Sequence, residues 1–200
     1  MAEKSCHQNV NFLLAGVGGQ GTLLASDILA DLGVCLGCDV KKAEVHGMSQ
    51  RGGSVTSHVR WGGKVFSPII GRGEVDILVA FEKLEAVRYI NYLCPGGIML
   101  VNDQRIEPIT VKSGDLKYPQ DADIRSNLAG VTEKTHWVNG TAIAEKVGNP
   151  RTVNVAVLGA LSALMDIPPE NWLEAVKAHV PEKFFDINAQ AFSAGREMVK

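Results

Sequence analysis

Two glycine-bearing segments carry the residues best placed for chemistry. The first is Ala15-Gly16-Val17-Gly18-Gly19-Gln20-Gly21, which follows an apolar run and has the spacing G-x-G-x-x-G at Gly16, Gly18 and Gly21. Glycines so spaced let the backbone turn tightly and approach a ligand, while a helix opening behind them offers unpaired N–H groups to an anion such as a dinucleotide's diphosphate. The same spacing equally serves a turn that only packs helix on strand or meets a partner chain. A dinucleotide site also uses an acid roughly 20 positions further on to hold a ribose hydroxyl, and Glu44 lies near enough to keep a nicotinamide or flavin site open.

The second segment is Glu44-Val45-His46-Gly47-Met48-Ser49-Gln50-Arg51-Gly52-Gly53. It has neither a helical nor an alternating apolar pattern, so it reads as a loop and not as core. His46, Gln50 and Arg51 supply donors and an acceptor, Met48 a thioether, and Gly52 and Gly53 a free backbone. Such a loop contacts an anion, a carbonyl or another subunit, the alternative being a solvated connection with one satisfied histidine.

The other candidates read as structural. Cys35 and Cys38 have the spacing of a redox dithiol or half a metal site, but sit among small residues between a helix and the next strand, where packing suffices. His7, His58, His136 and His179 have no partner at zinc-ligand spacing, so no metal site is assigned. Asp76, Glu82 and Glu85 read as strand-end and helix-start acids, favoured by the helix dipole. Trp61 and Trp172 fit core faces, and no tryptophan, Trp137 included, is assigned to binding an aryl group. No general acid, base or nucleophile emerges.

A chain of 200 residues, 46% hydrophobic and 21% charged, has the composition of one globular domain, here residues 1–200, and is long enough to bury a core without disulfides or structural metal. Twenty Lys+Arg against 22 Asp+Glu leave a formal charge of −2 with no basic block, which argues against nucleic acid and anionic membranes as partners. No apolar run approaches the ~20 residues of a membrane helix, and the first residues lack signal-peptide order. A cytoplasmic protein with reduced thiols is expected.

The elements that must position these residues follow from periodicity. Short apolar runs at residues 10–15, 77–81 and 98–101 suit parallel strands covered on both faces. Residues 22–32, with Leu24, Ile28 and Leu32 in register, predict a helix directly after the first glycine segment. Residues 55–61 alternate, and Gly62-Gly63 predicts a hairpin returning through Lys64-Val65-Phe66. A helix is expected over 83–93, ended by Cys94-Pro95-Gly96-Gly97, and loop with short extended pieces over 107–123. Residues 132–139 suit a further strand. Three helices close the chain: one carrying Val153, Ala156, Val157, Ala160, Leu161 and Leu164, one opening at Pro168-Pro169, and one following Pro181. The fold expected is three-layer α/β, with a Rossmann-like mixed sheet, an antiparallel hairpin and C-terminal helices.

Together the two segments resemble those of the gamma-type subunit or domain of 2-oxoacid:ferredoxin oxidoreductases. The likeness extends to Val75-Asp76, to Phe81-Glu82-Lys83-Leu84-Glu85-Ala86, to Asn154 with Leu158-Gly159-Ala160, and to Asn188-Ala189-Gln190-Ala191-Phe192 with Gly195. It spans nearly the whole chain. Within the family, the form His46-Gly47-Met48-Ser49-Gln50 is similar to that of beta subunits of indolepyruvate ferredoxin oxidoreductases. The resemblance implies a small subunit, inactive alone, of an enzyme that decarboxylates aryl pyruvates oxidatively with coenzyme A, giving arylacetyl-CoA, CO2 and reduced ferredoxin. It implies no cofactor held by this chain alone, and thiamine diphosphate with magnesium and iron–sulfur clusters in a large alpha subunit. The residues agree, since Cys35-x-x-Cys38 and two distant cysteines cannot make the four-thiolate spacing of a ferredoxin domain. Gly16, Gly18, Gly19, Gln20 and Gly21 would then form an anion- or partner-contacting loop, and Glu44, His46, Met48, Gln50, Arg51, Gly52 and Gly53 an active-site or subunit-interface loop. The gamma subunit of a pyruvate or 2-oxoglutarate enzyme and a free-standing NAD- or FAD-binding dehydrogenase remain the alternatives.

Overall fold

Every residue from Phe12 to Ala15 is fully buried, which explains the unbroken apolar run of strand β1 (Val10–Val17). Phe12 and Leu14 pack into one hydrophobic cluster, and Leu13 and Ala15 into another on the opposite face of the sheet. The computed structural model describes residues 9–47, 52–114 and 116–199. Their six strands run in the order β2-β3-β1-β4-β5-β6, with β2 (Asp39–His46), β3 (Ser54–Gly62), β4 (Val75–Ala80), β5 (Leu93–Asn102) and β6 (Thr135–Val138). Strands β1, β4, β5 and β6 are mutually parallel, and β3 lies antiparallel between β1 and β2.

Helix α1 (Thr22–Cys35), a few residues longer than the periodicity predicts, covers one face. It does so with α5 (Gly140–Val147), α6 (Val153–Ala163), α7 (Pro169–His179) and α8 (Phe185–Glu197), which pack on Phe12, Leu14, Val59 and Trp61. On the other face α2 (Lys83–Tyr89) and α4 (Asp121–Ala129) set Ala86, Ile124 and Leu128 against Leu13, Leu78 and Met99. The three-layer mixed α/β arrangement therefore holds. Helices α6 and α8 touch backbone to backbone: a Cβ on Gly159 would lie 2.0 Å from the Phe192 carbonyl oxygen, and one on Gly195 would lie 1.9 Å from that of Ala156.

The hairpin differs from expectation. Residues 64–66 form no strand, because both edges of β3 are already paired, Trp61 opposite both Val10 and Val40. The antiparallel hairpin is β2–β3 instead. Thr56 and His58 are buried, His58 beneath the segment carrying Ile70 and beside the Tyr92 ring. His58 Nδ1 accepts the Ile70 N–H at 3.2 Å, and burial holds its pKa below the usual value. The helix expected over 83–93 stops at Tyr89, passes through a 3-10 turn (Ile90–Tyr92), and gives way to β5, which takes in Cys94 to Gly97. The stretch 107–123 holds a short helix, α3 (Ile109–Lys112), and the start of α4. Trp61 and Trp172 are core residues, and Trp137 lies under the Arg125 guanidinium at 3.9 Å. Cys38 is disulfide-bonded, though not to Cys35, against the expectation of reduced thiols.

Candidate functional site

The connections leaving β1 and β4 go to opposite faces of the sheet, β1 to α1 and β4 to α2. At such a switch point the carboxyl ends of two parallel strands leave a crevice, the usual ligand position in open α/β sheets. The first glycine segment sits there. Gly21 caps α1 in the left-handed region at φ 76°, and a Cβ on it would lie 2.7 Å from Asn154 Nδ2. A Cβ on Gly16 would meet Thr22 Oγ1 at 2.6 Å and Gln20 Oε1 at 3.0 Å. The space opened by these two glycines is thus taken by the chain's own side chains.

Gln20 occupies the crevice itself. Its Oε1 accepts the Val17 N–H at 2.7 Å, and its Nε2 donates to the Phe81 carbonyl at 2.8 Å and to Gln104 Oε1 at 2.9 Å. Asn102, fully buried at the end of β5, extends the bracket: Nδ2 donates to the same Phe81 carbonyl and to Gln104, and Oδ1 accepts the Gly140 N–H at 2.9 Å. Four strand ends are held by amide side chains.

The two segments meet. Gly18 donates its N–H to the Gly53 carbonyl at 2.9 Å. Glu44 and His46 belong to β2 and not to a loop; opposite Ser57 and Val55 of β3, they need no apolar alternation because this edge strand is largely exposed. A groove of about 550 Å³ brings them together with Gly18, Gly19, Gly21 and Leu23. Glu44 pairs with Lys42 at 2.6 Å. Burial disfavours the Lys42 ammonium, but Asp27 and Glu44 outweigh it and raise its pKa. Because β3 separates β2 from β1, Glu44 is not beside the first strand as a ribose-binding acid would be. The loop proper spans residues 47–53, of which Met48, Gln50 and Arg51 lie outside the described residues.

A second cavity, of about 250 Å³, lies behind Gly52 and Gly53 and is lined by Ser54, Glu82, Glu85 and Arg88. Glu82 caps α2: Oε2 accepts the N–H groups of Leu84 (2.6 Å) and Glu85 (3.0 Å), and Oε1 accepts those of Ile106 (3.1 Å) and the Tyr118 hydroxyl. That is a structural carboxylate, as the sequence suggests. Burial, then Glu82, pushes the Tyr118 phenol far above its usual value, so it stays a donor. Glu85 accepts the Ser54 hydroxyl, with Arg88 at 3.3 Å; burial raises its pKa although Ser54 and Arg88 oppose it. Sequence reasoning missed the amide bracket, Ser54 and Tyr118. Asn154, noted only through family likeness, proves to pack against Gly21.

Among the described residues no three His, Cys, Asp or Glu side chains gather as metal ligands. Residues 11–198 match the family model described as pyruvate ferredoxin/flavodoxin oxidoreductase. The chain belongs to that family. Relatives named indolepyruvate oxidoreductase subunit IorB are similar throughout: that of Archaeoglobus fulgidus is 39% identical, covering 93% of each chain, and that of Pyrococcus horikoshii is 37% identical, covering 95% of this chain and 96% of its own. A 2-oxoglutarate synthase subunit KorC of Methanothermobacter thermautotrophicus is 28% identical over 93% of each chain. Among solved structures, the gamma subunit of a keto/oxoacid ferredoxin oxidoreductase from Geobacter sulfurreducens superposes with a TM-score of 0.70 at 26% identity, covering 95% of this chain and 98% of its own. Pyruvate oxidoreductase subunit PORC of Thermotoga maritima shares the fold at a TM-score of 0.73.

Proposed function

We propose that the chain is the small, gamma-type subunit of an indolepyruvate:ferredoxin oxidoreductase. The observation that carries this is full-length similarity at 33–39% to the IorB subunits, against 26–28% to the 2-oxoglutarate and ketoisovalerate subunits. The reaction converts an aryl pyruvate, coenzyme A and two oxidised ferredoxins into arylacetyl-CoA, CO2, two reduced ferredoxins and a proton. Thiamine diphosphate supplies the electron sink and iron–sulfur clusters the electron path. Both belong to the large alpha subunit: with Cys38 in a disulfide and Cys94 beside Asp76, this chain does not fit a four-thiolate cluster.

In this scheme the glycine loop and residues 44–53 face the large subunit and position the shared active site. Leu23, 40% exposed, favours that face, because a lone chain leaves this apolar side chain in water in the groove. Among the described residues no helix is long and apolar enough to cross a membrane, which accords with a complex working in the cytoplasm. Anaerobic co-purification of the tagged chain, followed by a ferredoxin-reduction assay with indolepyruvate and coenzyme A, tests the reading. A brown complex with a larger subunit and reduction dependent on indolepyruvate supports it; preference for pyruvate or 2-oxoglutarate moves the chain to another branch, and a colourless lone protein that binds NAD or flavin overturns it.

A further inference from the structure

The crevice at the switch point is where an open α/β sheet ordinarily receives a ligand, and here an amide from the glycine segment itself fills it. We infer that Gln20 is a positioning residue: by bracketing Val17, Phe81 and Gln104 it sets Gly18 at the height at which Gly18 holds the exit of the 47–53 loop through the Gly53 carbonyl.

Three observations support this. Gln20 spends both its amide oxygen and its amide nitrogen on the chain's own strand ends, at 2.7 to 2.9 Å, so its polar atoms already have partners inside the protein. The residues it joins belong to separate elements: Val17 ends β1, Phe81 follows β4, and Gln104 follows β5. Gly18 lies immediately beyond Val17, and its N–H is given to Gly53 and not to the crevice. From the far side Ser54, next in sequence to Gly53, donates to the buried Glu85, so the loop's exit is fixed at two adjacent residues. The glycines allow the backbone to take this course, with Gly19 at φ 106° and Gly21 at φ 76°, but glycines alone leave it unfixed. Gln20 is the side chain that fixes it.

For the enzyme this means that the exit of the loop, Gly53 and Ser54, is held from the glycine segment before the partner arrives. Residues fixed in advance lose less conformational freedom on association. The consequence rests on the subunit reading above, and the test separates the two. Gln20→Met keeps length and bulk while removing donor and acceptor. In the full-length chain, hydrogen exchange at the Val17 and Gly18 amides is expected to accelerate about fivefold or more, the equivalent of one ordinary hydrogen bond, while amides in the middle of β1 and β4 keep their protection. An unchanged Gly18 exchange rate overturns the inference, whatever happens at Val17. If Gln20→Met fails to fold, Gln104→Met removes the acceptor shared by Gln20 and Asn102 while leaving Gln20 on Val17 and Phe81, and is expected to give a smaller acceleration at Gly18; none there overturns the inference too. With the large subunit, Gln20→Met should raise the small-subunit concentration needed for half-maximal ferredoxin reduction more than it lowers the maximal rate. With the concentration counted as folded subunit, a purely structural lesion that only reduces the folded fraction leaves the half-maximal value unchanged. A wild-type chain that joins no large subunit defeats the functional reading alone, and the exchange rates still decide the role of Gln20.

Discussion

Gly18 and Gly53, 35 positions apart in sequence, are joined by a backbone hydrogen bond of 2.9 Å at the carboxyl end of the sheet. That bond consumes one of the N–H groups a dinucleotide's diphosphate would need, and the neighbouring space at Gly16 and Gly21 is filled by Thr22, Gln20 and Asn154. No saturable binding of NAD or flavin to the isolated chain is therefore expected. Calorimetric titration to about 1 mM checks this, that concentration corresponding to a binding free energy near −4 kcal/mol. A micromolar isotherm would show that the loop rearranges and that the glycine spacing is a nucleotide site after all.

The backbone contact between α6 and α8 gives the largest expected stability loss. A methyl group on Gly159 would stand 2.0 Å from the Phe192 carbonyl oxygen, so Gly159→Ala must separate α6 from α8 and open the face that buries Val155, Leu158 and Phe192. Overpacking of this kind costs about 1–3 kcal/mol or more. Gly148→Ala is the matched control, since Gly148 has φ 85° but nothing within 4 Å of its missing Cβ. Only the left-handed backbone penalty of about 1–2 kcal/mol applies there. Denaturant unfolding of both variants should rank Gly159→Ala as the more damaging; equal losses would mean that the two helices part easily.

Much of this architecture was legible because apolar runs and helical periodicity report burial. Phe12 to Ala15 reads as a doubly covered strand, and is one; Val153 to Leu164 reads as a helix with one buried face, and is a helix, but one buried all round from Asn154 to Ser162. The hairpin was misassigned for a reason local pattern does not contain: Gly62-Gly63 is good turn chemistry, but β3 had no free edge once β1 and β2 had paired with it. Helix α4 was hidden by Pro108, Gly114 and Pro119 nearby, although Asp121 and Asp123 in its first turn and Ile124 and Leu128 one turn apart were its signal. The glycine spacing was legible as the turn between a strand and a helix, and it does join β1 to α1. The amide bracket was not legible, because Gln20, Asn102 and Gln104 meet only when three strand ends converge.

The carboxyl of Glu85 makes stability depend on pH. Burial raises its pKa from the usual value near 4.5, opposed by Ser54 and Arg88 and assisted by the charge on Glu82. The folded chain therefore holds this proton more tightly than the unfolded chain, and unfolding releases it. Stability falls as pH rises from about that usual value through the raised native one, and stays reduced above it. Glu85→Gln retains an acceptor for Ser54 and loses an ion pair whose Arg88 partner is 48% exposed, which is worth little. The variant should be more stable than the wild type at pH 7, with the advantage shrinking toward pH 4. Asp39 and Asp121, whose pKa values are lowered by Lys41 and Lys83 hydrogen bonds, slope the opposite way in both proteins and cancel in the difference. Parallel unfolding curves for the two proteins across pH 4–8 would show that Glu85 is solvated in solution.

His46 and Arg51 test the proposed docking face directly. His46 is exposed at the end of β2 and lines the groove beside Gly18 and Leu23, and its ring Nδ1 lies 3.3 Å from the Gly47 carbonyl, so little of the fold depends on it. Arg51 adds a planar guanidinium suited to a carboxylate or phosphate on a partner. His46→Ala combined with Arg51→Ala should leave the melting temperature of the isolated chain within the small range typical of surface changes, about 0.5 kcal/mol. The same double variant should weaken association with the large subunit or slow turnover on the order of tenfold, the loss expected for about 1.4 kcal/mol of interface energy. Assembly by gel filtration and ferredoxin reduction with indolepyruvate read the two effects separately. Unchanged assembly together with an unchanged rate would place the contact with the large subunit elsewhere on the molecule.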